Sequence, residues 1–166
     1  MSNINEIVEK ILKKHKGGKP FFDALDFSIK GDLDILDVFV KDAIKYKNPK
    51  YTAGLLLTGE FGQILFDKYK NILFDKFNMI VLCSSELIDG IPKYIQTYSK
   101  NTNILNSCGY IHCMDDSYYS GKTIKHLIHF FNLKESDMLV HVIYDGSPVL
   151  PTAYKKFTAM YRYHKN

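Results

Sequence analysis

The chain has 166 residues, 46% of them hydrophobic and 24% charged, with a net charge of +4. That is ordinary globular material for one compact domain with a sizeable core. No apolar run approaches the ~20 residues of a membrane span, and Met1-Ser2-Asn3-Ile4-Asn5-Glu6 lacks the basic and apolar regions of a secretory leader, so a cytoplasmic protein without membrane contact is expected.

Taken in chain order, Ile4, Ile7, Val8, Ile11 and Leu12 mark an amphipathic helix that ends at Gly17-Gly18. The densest basic stretch, Lys10, Lys13, Lys14, His15, Lys16 and Lys19, falls at that helix end, where cations complement the dipole; nucleic acid is not an expected partner. Leu36, Phe39, Val40, Ala43 and Ile44 mark a second helix closed by Asn48-Pro49. Phe61, Ile64, Leu65, Tyr69 and Ile72 keep a helical period, while Gly54, Gly59 and Gly62 argue for a turn before it. Met79 to Cys83 reads as a short buried strand, and Ile91, Tyr94, Ile95 and Tyr98 as a helix with Pro92 in its first turn. Tyr110 to Met114 and Asp137 to Tyr144 read as two further central strands. Strands alternating with helices give an α/β fold with a mainly parallel central sheet flanked by helices and an α-helical N-terminal portion. In such sheets ligands bind beyond the carboxyl ends of strands, so three loops converge on one edge: Ser84 to Gly90, Asp115 to Gly121 and Asp145 to Leu150.

Cys83, Cys108 and Cys113 are odd in number and read as buried free thiols. His126 and His129 share a helix face, but together with Cys108 and His112 they match no zinc spacing.

The most informative stretch is Tyr110-Ile111-His112-Cys113-Met114-Asp115-Asp116-Ser117-Tyr118-Tyr119-Ser120-Gly121-Lys122-Thr123. An apolar strand stops at two adjacent carboxylates. A short hydroxyl- and glycine-bearing loop follows, and Ile124, Leu127, Ile128 and Phe131 then set a helical period. A helix start offers unpaired N–H donors and a positive dipole end, which together make an anion site. Ser117, Ser120 and Thr123 add hydroxyl donors, and Gly121 lets the backbone approach a phosphate. Asp115 and Asp116 suit a sugar diol or Mg²⁺ rather than the phosphate itself. A solvated turn whose Asp and Ser cap the helix is the plainer alternative. The Gly121-Lys122-Thr123 triplet is not a nucleotide-triphosphatase loop, because that pattern needs a glycine where Asp116 stands.

Asp115-Asp116-Ser117-Tyr118-Tyr119-Ser120-Gly121-Lys122-Thr123, with its apolar lead-in, resembles the phosphoribosyl pyrophosphate (PRPP) loop of type I phosphoribosyltransferases. The resemblance implies that Asp115 and Asp116 bind the ribose hydroxyls and Mg²⁺, and that the segment from Ser117 to Thr123 holds the 5′-phosphate. It further implies that the loop carrying Ser84 and Ser85 meets pyrophosphate and that Asp145, Tyr144 or Val149 lies near the base. Residues 1–166 would form one such domain, with a helical part over 1–50 and the PRPP-binding core over 77–150.

Three features depart from that family's pattern. The pyrophosphate loop, Ser84-Ser85-Glu86-Leu87-Ile88-Asp89-Gly90, is acidic where the family carries glycine or a basic residue. About ten residues separate Lys100 from Tyr110, too few for the flexible hairpin that covers the site in many members. Tyr119 stands where purine-salvage members carry an Asp that touches the base, so hypoxanthine or guanine is not expected by that route. Two readings follow. One is a Mg²⁺-dependent transferase that moves phosphoribosyl from PRPP to a base or other nucleophile. The other is a non-catalytic sensor of PRPP or a nucleoside monophosphate, acting through a homodimer or a partner protein.

Overall fold

The computed structural model describes residues 33–45, 53–99 and 105–162. Its centre is a six-stranded sheet built from β1 (Ala53–Thr58), β2 (Met79–Cys83), β5 (Ile95–Ser99), β6 (Tyr110–Tyr118), β7 (Met138–Asp145) and β8 (Lys156–Arg162), in the order β5-β2-β1-β6-β7-β8. All neighbours pair in parallel except β5, which runs antiparallel to β2 at one edge. Two short strands, β3 (Leu87–Ile88) and β4 (Ile91–Pro92), form a separate ribbon between β2 and β5. The fold is α/β with a mainly parallel sheet, as the alternation of strand and helix patterns implies.

Helices cover both faces of the sheet. On one, α1 (Leu33–Ile44) and α2 (Gly59–Lys76) bury Leu36, Phe39, Val40, Phe61, Leu65 and Leu73 against Leu55, Leu57, Ile80, Leu82 and Met114. The Tyr69 hydroxyl of α2 donates to Asp37 of α1 and ties the two helices together. On the other, α3 (Lys122–Phe130) buries Ile124, Leu127 and Ile128 against Leu56, Val81, Cys113, Val140 and Val142. Leu57 is fully buried at the sheet centre. Truncating such a side chain to Ala costs about 2–5 kcal/mol.

Two sequence-based expectations are corrected. The segment from Gly54 does not turn: it is β1, buried at every position, between β2 and β6. Its glycine marks close packing, because a β-carbon on Gly54 would stand 2.9 Å from Leu105 Cδ1 and 3.0 Å from Cys108 Sγ. Gly62 likewise lets α2 lie on β1, its would-be β-carbon 2.8 Å from the Leu57 carbonyl carbon. The helix expected from Ile91 to Tyr98 is instead β4 and the edge strand β5. Ile91 and Ile95 of that apparent helical stripe are exposed, and Tyr98, opposite Ile80, anchors the strand by stacking on Phe66 at 4.8 Å. The spacing fitted a helix, but the β-branched and aromatic content suited an edge strand.

The helix expected over Leu36 to Ile44 is α1, while the stretch from Ile4 to Leu12, the basic run from Lys10 to Lys19 and the pair Asn48-Pro49 lie outside the described residues. No helix among the described residues is long and apolar enough to cross a membrane.

Candidate functional site

Because β1, β2, β6 and β7 are parallel, their carboxyl ends share one edge of the sheet. A cleft of about 280 Å³ opens there. The acidic pair reaches it on a strand rather than a loop, since β6 continues through Tyr118, with Asp115 opposite Val142, Ser117 opposite Tyr144 and Tyr118 opposite Asp145. Only Tyr119 to Gly121 turn the chain into α3. Every residue from Asp115 to Thr123 lines the cleft. Asp116 is buried and Asp115 half-buried. Asp115 Oδ1 accepts the Asp116 N–H at 2.8 Å, and Ser117 Oγ donates to Asp116 Oδ1 at 3.3 Å.

Two helix N-termini open on this cleft. α3 starts after Gly121, whose φ of 75° is left-handed and which caps the helix without a side-chain hydrogen bond. Gly121 has a second reason to be glycine: a β-carbon would lie 2.6 Å from Tyr118 Cζ, and the Tyr118 hydroxyl is paired with that of Tyr154 at 2.9 Å. The other N-terminus belongs to α2 and follows β1, the strand hidden by its glycines. Thr58, Gly59, Glu60 and Phe61 line the cleft at this end. Thr58 is buried and its Oγ1 has no hydrogen-bond partner, an arrangement that usually costs about 1–3 kcal/mol. Gly59, at a left-handed φ of 65°, leaves room for the Ser85 hydroxyl, 3.0 Å from where its β-carbon would be. A run of apolar residues ending in Thr-Gly-Glu-Phe-Gly was the signal for this loop, read instead as a turn.

The remaining residues singled out from the sequence divide. Ser85 lines the cleft. Ser84 is buried, donating to the Glu86 carbonyl at 2.9 Å and accepting the Lys93 N–H at 2.7 Å, so its hydroxyl closes its own loop. Glu86 pairs with Lys93 at 2.9 Å, and neither it nor Asp89 lines the cleft. Asp145 is fully buried below the third loop: Oδ1 accepts Ser147 N–H at 2.9 Å and Ser147 Oγ at 2.6 Å, and Arg162 Nη1 stands 3.3 Å from Oδ2. Those contacts with Ser147 shape the 145–150 turn. That turn is clasped to β6 by Gly146 N–H donating to the Tyr118 carbonyl at 2.8 Å, and it borders a second cleft of about 470 Å³ that shares Tyr118, Tyr119 and Ser120 with the first.

Among the described residues no group of three or more His, Cys, Asp or Glu side chains could hold a metal. Asp115 and Asp116 alone fit Mg²⁺ that takes its other ligands from phosphate oxygens and water. The cysteines are free and buried; burial first, then Asp115, pushes the Cys83 thiol up to about 12, so it is no nucleophile at neutral pH.

No protein-family model matches the chain, and no curated protein does. Among solved structures it is similar to a purine phosphoribosyltransferase from Pyrococcus horikoshii Ot3, at 14% identity over 78% of this chain and 80% of that one, with a TM-score of 0.48. The APRTase of Giardia lamblia in complex with 9-deazaadenine is similar at 14% identity, 83% and 84% coverage and a TM-score of 0.46. The hypoxanthine phosphoribosyltransferase of Trypanosoma cruzi in complex with IMP is similar at 14% identity, 81% and 76% coverage and a TM-score of 0.43.

Proposed function

We propose that this domain binds PRPP or a nucleoside 5′-monophosphate and transfers phosphoribosyl to a ring nitrogen or other nucleophile with release of pyrophosphate. One observation carries the reading: two helix N-termini, at Gly59 and Lys122, open on a single cleft that also holds Asp115 and Asp116. Such ends attract anions, and carboxylates suit the hydroxyls of a sugar. The 5′-phosphate sits on the amides and hydroxyls from Ser117 to Thr123, beside Lys122. The pyrophosphate end falls to Thr58 and Gly59 together with Ser85, the one residue of the Ser84 to Gly90 loop that lines the cleft. Mg²⁺ held by Asp115 and Asp116 with the substrate's own oxygens would offset charge on the leaving group.

In the transfer, the nucleophile's lone pair attacks C1 of the ribose and the C1–O bond breaks. Its electron pair leaves on pyrophosphate, and an N–H nucleophile loses its proton to water. This chain's part is to hold both anionic ends while Asp115 and Asp116 fix the sugar between them. Base-dependent pyrophosphate release from PRPP by the purified protein, lost in Asp115→Asn/Asp116→Asn, is the result that supports transfer.

The non-catalytic reading keeps one observation of its own. Lys122 is the single cation among lining residues that include Glu60, Asp115 and Asp116, so a leaving pyrophosphate gains little charge relief from side chains. Binding of PRPP without release of pyrophosphate for any of a panel of bases would favour the sensor, working in the cytoplasm through a second copy or a partner.

A further inference from the structure

The second cleft adjoins the first through Tyr118, Tyr119 and Ser120, so a ligand whose phosphorylated sugar lies in one extends its remaining group into the other. Much of its lining is apolar or aromatic. Tyr119, whose ring closes over Gly146, forms one side, and the 147–154 loop supplies Pro148, Val149 and Leu150. Val149 is 76% and Leu150 53% exposed, so both offer apolar surface on which a ring can pack.

The charge of this cleft is one-sided. Lys125, in the first turn of α3, lines it, is exposed, and makes no ion pair with any described residue. No carboxylate lines it. The nearest acid in the third loop, Asp145, is fully buried and committed to Ser147 and Arg162. A ring edge rich in amino groups would find no anionic acceptor there, whereas a carboxylate on the ring would meet Lys125 in a charge-assisted contact.

Resting on the phosphoribosyl reading, we infer that the group carried beyond the sugar is a planar heterocycle bearing a carboxylate, and that Lys125 selects it. Lys125 is exposed, so the contact is that of a partly screened pair and is worth about threefold to fivefold in affinity.

The test is isothermal titration of orotidine 5′-monophosphate and uridine 5′-monophosphate, which share sugar, phosphate and ring and differ by the carboxylate. Wild type should bind the carboxylated nucleotide about threefold to fivefold more tightly. The ratio should fall to about one in Lys125→Gln and return in Lys125→Arg. A ratio near one in wild type, or one that survives in Lys125→Gln, overturns the assignment while leaving the phosphate cleft standing. If neither nucleotide nor ribose 5-phosphate binds, the phosphoribosyl reading itself fails and takes this one with it.

Discussion

Gly121 and Tyr118 occupy each other's space: the ring carbon Cζ of Tyr118 stands 2.6 Å from where a β-carbon on Gly121 would be. The residue that opens α3 and the residue that ends β6 therefore depend on one another, and the turn between them is fixed by packing as well as by its left-handed backbone. Gly121→Ala should cost about 1–3 kcal/mol of stability, from the positive φ and from displacing Tyr118 off Tyr154. In urea unfolding, a double-mutant cycle with Tyr118→Leu should show a combined loss smaller than the sum of the two single losses. Strict additivity would mean the two do not interact.

Thr58 gives a prediction with opposite signs for stability and binding. Its buried Oγ1 has no partner, so Thr58→Val removes an orphaned hydroxyl at nearly constant volume. Unfolding free energy should stay level or rise by about 1 kcal/mol. Affinity for pyrophosphate with Mg²⁺ should fall by about fivefold to tenfold, the worth of one hydrogen bond to an anion. A variant that binds pyrophosphate as wild type does would remove α2's N-terminus from the site.

Asp115→Asn/Asp116→Asn changes charge without changing shape. Its melting temperature should remain within a few degrees of wild type, while the rise produced by PRPP and Mg²⁺ should vanish. Thermal scans with and without ligand check it, and an unchanged ligand shift would leave the carboxylates as mere strand-end charges.

A buried histidine pair ties stability to pH. His112 Nδ1 lies 3.1 Å from His141 Nε2, and His141 Nδ1 lies 2.7 Å from Thr158 Oγ1, in a chain across β6, β7 and β8. Burial lowers His112 to about 4; burial, then the neighbouring charges of His112 and Lys156, lowers His141 to about 3, both from 6.5. The unfolded chain therefore binds more protons below pH 6.5, and stability present above that pH is lost as pH falls from 6.5 towards 4 and 3, where the loss levels off. At ~1.4 kcal/mol per pH unit and group, moving from pH 7 to 5 should cost up to about 4 kcal/mol. Urea unfolding of His112→Leu/His141→Leu should show a shallower fall over the same range. An equal fall would assign the pH dependence to other groups.

Much of the site was legible because chemistry and periodicity agreed there. Asp115 to Thr123 carried its polar residues between an apolar run and the stripe of Ile124, Leu127 and Ile128, so a strand, a turn and a helix could each be read from their own signal. What hid was set by tertiary contact. Gly54 looked like a turn because its reason for being glycine, the approach of Leu105 and Cys108, lies far along the chain. With β1 unread, the Thr58 to Phe61 loop went unread too, and of the Ser84 to Gly90 loop read from the sequence only Ser85 lines the cleft beside it. The stripe from Ile91 to Tyr98 had helical spacing, yet pairing with β2 overrode it. Asp145 was visible as an acid after a strand; that Ser147 and Arg162 occupy it could not be read from one sequence.

The proposed function requires one cleft to hold two anionic ends across an acidic pair. Isothermal titration of PRPP, ribose 5-phosphate and pyrophosphate in the presence of Mg²⁺ tests it most directly. One PRPP should bind per chain, at least about tenfold more tightly than either half, since each helix N-terminus adds its own contacts when both are engaged. PRPP binding no tighter than ribose 5-phosphate, or no binding of any of the three, would contradict it.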